Sequence, residues 1–173
     1  MQDSLMHMVD ILLSYDFQPI REKLMNNIDT ILDLIDWNRS KEDQQKGIDM
    51  AREVKCIKAF FQPYVPGNCK RVWENCARII IERSDEELVP YTNDLLIWLN
   101  DLNVPGAELI LQRLLVFLDT TVLALLLQRI VPGLVAIDDK PWLMSLANLL
   151  DNNNLVEKLD KITIQTLERY RIN

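Results

Sequence analysis

The stretch from Leu95 to Leu115, LLIWLNDLNVPGAELILQRLL, constrains the fold more than any other part of the chain. An apolar helical pattern stops at Asn100-Asp101, and a second apolar helix follows Pro105. Asn103 offers an N-cap two residues ahead of that proline. Proline suits the first turn of a helix because its missing N–H would be unsatisfied there anyway. A connection of about three or four residues is typical of antiparallel neighbouring helices. The chain is therefore expected to fold back on itself as a helical hairpin. That defines an architecture and no chemistry.

The same periodicity runs along the rest of the chain. Leu5, Met8, Val9 and Leu12 predict a short amphipathic helix over 3–14. A second, about 19–35, buries Leu24, Ile28, Ile31, Leu32 and Ile35. Ser40 with Asp43 caps a third, about 41–54, whose apolar positions are sparse. Residues 55–69 are the least regular, with Phe60, Phe61, Pro63, Tyr64 and Pro66 ahead of Gly67-Asn68. A fourth helix, about 69–83, places Val72, Cys76, Ile79 and Ile80 on one face. Ser84 and Glu87 form a capping box that opens a single turn before a helix over about 90–100. Helices to about 118 and over about 120–131 are apolar nearly all round, which predicts the most buried positions for Leu111, Leu114, Leu123, Leu126 and Ile130. Asn154 is expected to cap a last helix, about 155–171, that buries Leu155, Leu159, Ile162 and Tyr170 and pairs Glu157 with Lys161. No segment alternates convincingly as a strand.

Asp139 with Pro141 repeats the spacing of Asn103 with Pro105, 36 residues further on. At that offset Trp98 aligns with Leu134, Ile110 with Leu146 and Leu114 with Leu150. A period near 40 made of two helices is the signature of HEAT-type repeats.

Composition narrows the function classes. Only four glycines argue against β-hairpins and phosphate-cradling loops. A net charge of −7 makes nucleic acid and anionic lipid poor partners and fits either solubility or a basic partner. Cys56, Cys69 and Cys76 lack the spacing of a zinc site or disulfide framework and read as small buried hydrophobes in a reducing compartment. The start carries acids and lacks a basic signal-peptide region, and Glu108, Arg113, Asp119 and Arg129 interrupt the most apolar tract. A cytoplasmic protein with no membrane contact is the expectation.

Catalytic chemistry finds little support. The single histidine, His7, lies near the N-terminus among methionines and serves packing or surface. Asp36, Asp85, Asp101, Asp138 and Asp139 stand at helix ends. The helix N-terminus explains Asp85 and Asp139. Asp101 opposes the dipole of a helix C-terminus and reads as a cap for the next helix or a binding group. Trp37, Trp73, Trp98 and Trp142 are too widely spaced for one motif and read as core. Lys70, Arg71, Arg78 and Arg83 read as a salt-bridged solvated face. No catalytic residue, metal site or cofactor is assigned. The binding candidates are Gln62, Trp73 and Asn75, on the irregular loop and the adjoining helix, bordered by Asp101 and Asn103.

Five strings carry a family resemblance: D-W-x-x-S-x-E-x-Q-Q at 36–45, F-x-Q-P at 60–63, V-W-E-N-C-A at 72–77, R-S-D-E-E-L at 83–88 and L-L-I-W-L-N-D-L-N-V-P-G-A at 95–107. Over roughly 36–118 the chain resembles a bacterial, largely Firmicute, family of unknown function with HEAT-like helical repeats. Trp98 to Pro105 is the strongest element, and Val104 stands where that family usually carries Trp. The resemblance implies no activity and no catalytic residues.

The expectation is one all-α domain over 1–173, a HEAT-like stack of antiparallel hairpins. Its core spans 36–151, its N-terminal helices 1–35 and its C-terminal capping helix 152–173. Its function would be non-enzymatic interaction with a protein or peptide, as a monomer or weak homodimer. An immunity protein neutralising a basic bacterial toxin is the narrower alternative. A carboxylate-dependent enzyme is a third, without a supporting E-x-x-H or clustered acidic motif.

Overall fold

The structure, a computed structural model, describes residues 27–62 and 70–171. The expected helix over 3–14, His7, Cys69 and the loop residues Pro63 to Asn68 lie outside the described residues. Every regular element among the described residues is helical. They are α1 (27–34), α2 (Lys41–Ala51), α3 (Trp73–Ile81), the single turn α4 (Asp85–Leu88), α5 (Thr92–Trp98), α6 (Ala107–Leu115), α7 (Thr121–Ala136), α8 (Lys140–Ala147), the single turn α9 (Asn153–Val156) and α10 (Lys161–Glu168). Short 3₁₀ turns over Ile57–Phe60, Lys70–Val72, Val89–Tyr91 and Asn148–Asp151 link them.

Local signals place most boundaries. The Ser40 hydroxyl accepts from the Asp43 N–H at 3.0 Å and starts α2. Ser84 and Glu87 cap reciprocally and start α4. The Asp139 carboxylate accepts from the Trp142 N–H, with Pro141 in the first turn of α8. Asp138, at φ 56°, turns the chain between α7 and α8; its short polar side chain tolerates the left-handed region.

The Asn103–Pro105 connection departs from expectation. α6 begins at Ala107, so Pro105 precedes the helix and Asn103 does not cap it. The link from Trp98 to Ala107 is longer than the three or four residues expected. Two contacts set its length. The buried Trp98 indole donates to the Pro105 carbonyl at 3.2 Å. Gly106, at φ +83°, lies so close to α3 that a Cβ there would sit 2.5 Å from the Ala77 Cβ and 3.1 Å from the Trp73 carbonyl. Only glycine meets both the backbone angle and the approach.

Packing follows an alternation. α2 lies on α3, α3 along α6, and α6 on the 3₁₀ segment Asn148–Asp151. α5 packs on α7, and α7 on both α8 and α10. One continuous core results, from Ile31 and Ile35 through Phe60, Ile80, Trp98 and Leu114 to Leu167. Leu111, Leu114 and Leu123 are buried as the pattern predicts. Leu126 and Ile130 are only partly buried, because α7 keeps one face on solvent and leaves Leu125 61% exposed. That solvent face also tolerates Pro132, so α7 runs past the expected end near 131.

Further corrections concern the ends. The last helix is broken: Asn152 rather than Asn154 caps α9, and Asp160 caps α10. Glu157 and Lys161 fall on opposite sides of that break, and Ile162 is exposed. Cys56 is exposed while Cys76 is buried, and Trp37 is half exposed. Burial pushes the Cys76 thiol well above its usual pKa.

Candidate functional site

The structure divides the five binding candidates into an inner and an outer group. Asn75, on α3, is buried. Its amide donates to the Ile35 carbonyl at 2.7 Å and to Gln44 Oε1 at 3.0 Å. The Gln44 amide in turn donates to the carbonyls of Arg39 and Trp37. This relay ties the α1–α2 turn to α3 through backbone groups that would otherwise lack partners. Gln62 is also buried, and its amide donates to the Ala59 carbonyl. Trp73 is partly buried at the start of α3, with the Lys70 ammonium 5.6 Å from its ring centroid. Its indole N–H is buried without a hydrogen-bond partner among the described residues.

Asp101 and Asn103 are exposed on the α5–α6 link. Asp101 Oδ1 accepts from the Asn103 backbone N–H and from its side-chain amide, both at 2.9 Å. Those two donors, with a smaller contribution from Lys70, hold the Asp101 carboxyl below the usual range. Asp101 is therefore a local turn-maker and not a helix cap.

Packing of α8 beside this link creates a groove of about 270 Å³. Leu102, Pro141 and Met144 give it apolar surface; Asp101, Asn103 and Asn148 give it polar groups. Ser145 also lines it, its hydroxyl donating to the Pro141 carbonyl at 3.0 Å. The Asn148 amide donates to the carbonyls of Met144 and Ser145 at 3.0 and 3.1 Å. Met144, Ser145 and Asn148 were not foreseeable as partners of Asp101. They lie some 40 residues away in sequence and meet it only through packing.

Two other recesses differ in chemistry. One, beside α3, carries Arg52 paired with Glu82 at 2.9 Å and Arg83 paired with Glu87 at 3.4 Å, so its charges match internally. The other, between α7 and α10, is a largely apolar trough of Val131, Pro132, Val135 and Ile162 with Tyr170, edged by Thr163, Thr166 and Arg169. The basic residues of the α3 region are likewise paired: Arg71 with Asp36 at 3.2 Å and Arg78 with Glu74 at 3.4 Å.

One structural ion pair was missed by sequence reasoning. Asp85 Oδ1 meets Arg113 at 2.6 Å, and Asp85 Oδ2 accepts the Leu118 N–H at 2.9 Å. Burial alone would raise the Asp85 carboxyl; the Leu118 N–H and Arg113 outweigh it and lower it. The pair clamps the end of α6 to the start of α4, and Arg113 also lies 4.8 Å from the Phe117 ring centroid.

The fold and the groove define an all-helical protein with a polar recess at a helix–loop junction. Residues 73–170, more than half of the chain, match the DUF5071 domain, a domain of unknown function, and the chain belongs to that family. No curated protein and no solved structure matches the chain. The matched span begins within the region of the sequence resemblance and continues past it to α10. No helix among the described residues is long and apolar enough to cross a membrane.

Proposed function

We propose that the chain is a non-enzymatic, cytoplasmic helical-repeat protein that binds a protein partner on a HEAT-like scaffold. The observation that carries this reading is the alternation of packing. α3 contacts α6 and α6 the Asn148–Asp151 segment, while α5 contacts α7 and α7 contacts α10, so each helix meets the element one hairpin further on. This contact pattern supports the reading, because an α-solenoid of stacked helical hairpins requires it and such solenoids use their extended surface for contact with other chains. The Asp101–Asn148 groove opens at a junction between two such hairpins and is the binding surface in this reading.

Charge favours a narrower second reading. A chain of net charge −7 with an ionised aspartate at its groove suits a basic partner, as an immunity protein facing a basic bacterial toxin would.

Affinity capture with the tagged full-length chain from its own cells tests the proposal. A captured protein is purified and titrated calorimetrically against the wild type and Asp101→Lys. Binding by the purified pair, weakened in the variant, is the expected result. Absence of binding by every purified candidate would overturn it, as would turnover of a substrate by the isolated chain.

A further inference from the structure

We propose that the groove lined by Asp101, Asn103 and Asn148 receives a lysine side chain from the partner protein. The inference rests on the interaction reading above and adds the chemistry of the group recognised.

Hydrogen-bond accounting gives the sign of the ligand. Each side-chain donor group at the polar rim is already bonded within the chain, and only one N–H of the Asn103 amide is left over. The Asn103 amide nitrogen faces the Asp101 carboxylate, the Asn148 amide nitrogen faces two carbonyls, and the Ser145 hydroxyl donates to a third. Each partner is an acceptor, so the orientation of both amides is fixed by chemistry. On these three groove-lining residues one oxygen each has no hydrogen bond within the described residues: Asp101 Oδ2, Asn103 Oδ1 and Asn148 Oδ1. A rim with three open acceptors against one open donor favours a ligand rich in donors. The ionised Asp101 makes that ligand a cation.

The apolar wall distinguishes between cations. A metal ion gains nothing from Leu102, Pro141 and Met144. A lysine lays its four-carbon stem on such a surface and projects its ammonium to the polar rim. Arginine fits less well. Its planar fork prefers both oxygens of a carboxylate, and Asp101 Oδ1 is already held by two donors from Asn103. An ammonium has three donors for three separate acceptors. Beside the Asn103 donors, Lys70 is near enough to lower the Asp101 carboxyl, but its ammonium packs over the Trp73 ring and it does not line the groove. The whole-chain charge of −7 draws a basic partner toward the same surface.

The test uses the full chain and a defined probe. Backbone amide NMR is recorded while Nα-acetyl-lysine methylamide is added, with the norleucine and arginine analogues as controls. Saturable shifts are expected for Asp101 to Asn103 and for Met144 to Asn148. The norleucine probe should bind about fivefold more weakly, and Asp101→Asn should weaken the lysine probe by a similar factor, the size of one exposed charge contact. The variant keeps an oxygen for Asn103, so the loop stays folded. Added salt should weaken the lysine probe only. No saturable shift at about 100 mM lysine probe, two decades above a millimolar Kd, overturns the proposal. So does equal binding of norleucine, tighter binding of arginine, or an unaffected Asp101→Asn. Because no protein partner enters this titration, its failure leaves the capture result standing. A failed capture likewise leaves the lysine titration intact.

Discussion

Asn148 and Asn152 flank the same 3₁₀ segment, one turn apart, and put the same side chain to different uses. Each amide nitrogen donates to two carbonyls. Asn152 reaches those of Leu114 and Phe117, at 2.9 and 3.1 Å, across the core. Asn148 reaches those of Met144 and Ser145 in its own helix. The difference lies in the oxygen. Asn152 is buried, and its oxygen accepts the Leu155 N–H at 3.2 Å to cap α9. Asn148 is half-buried on the groove, and only its nitrogen is bonded within the described residues. A buried amide with both ends satisfied holds two helix ends together. A surface amide with its nitrogen engaged becomes an oriented acceptor. The same contrast separates Asn75, wired into the Gln44 relay, from Asn103, held by Asp101.

The contrast is broken most directly at its buried end. Asn152→Ala removes the amide donor to the Leu114 and Phe117 carbonyls, of which Leu114 keeps the Phe117 N–H, and the cap of α9 together. The expected loss is about 2–3 kcal/mol in urea unfolding, from one unsatisfied buried acceptor, one weakened bond and one cap. A loss below about 1 kcal/mol, within the range of a cap alone, would show that water replaces the amide.

Gly106→Ala ranks next, because it strikes the contact that places the groove loop against α3. A positive φ and a Cβ 2.5 Å from that of Ala77 should together cost about 2–3 kcal/mol. The double variant with Ala77→Gly relieves the clash but not the angle. A coupling of about 1 kcal/mol or more between the two changes is therefore expected. Strict additivity would mean that the helices shift apart freely.

Legibility in the sequence followed the range of the interaction. Ser40, Ser84 and Asp139 announce helix starts, because a cap is a bond between residues three apart. The inward rows of α3 and α6 are legible from period alone. The Pro105 turn misled because Gly106 answers to Ala77, a neighbour known only after folding. The break before α10 misled because Leu155 and Leu159 keep helical spacing across it while Asp160 caps a new start. The groove was half legible. Asp101 and Asn103 are adjacent in the chain, but Met144 and Asn148 arrive from α8. Gln62 and Asn75 look the same in sequence whether they tie backbone groups or meet a ligand; burial and bonded partners distinguish the two.

Asp85 tests the middle ground, an ion pair that is largely but not fully buried. Asp85→Asn should cost about 2 kcal/mol at neutral pH, by leaving Arg113 short of its charge. The Asp85 carboxyl is lowered in the folded chain, so its contribution is present above the unfolded value near 3.8 and lost as pH falls through the folded value. The difference between wild type and variant should therefore be constant from neutral pH down to about pH 5 and shrink below it. A difference that grew on acidification would mean that Asp85 is not the clamp.

The smallest stability effect should come from Asn148, and it is the sharpest test of the comparison. Asn148→Ala removes bonds to two carbonyls in the last turn of α8, where water can take over. The cost should stay below about 1 kcal/mol, the low end for a helix cap. The chemical change at Asn152→Ala is identical, so the gap between the two losses, less about 1 kcal/mol for the α9 cap, measures what burial of the Leu114 and Phe117 carbonyls adds. Function should run the other way. Asn152→Ala, studied well below its unfolding midpoint, should leave binding of the lysine probe near wild type, because it does not line the groove. Asn148→Ala should weaken that probe about two- to fivefold, the effect of one open acceptor. Equal destabilisation by both substitutions would erase the distinction between clamp and acceptor. So would an Asn148→Ala chain that binds the probe as tightly as wild type, and amide NMR of the two variants side by side reads both outcomes.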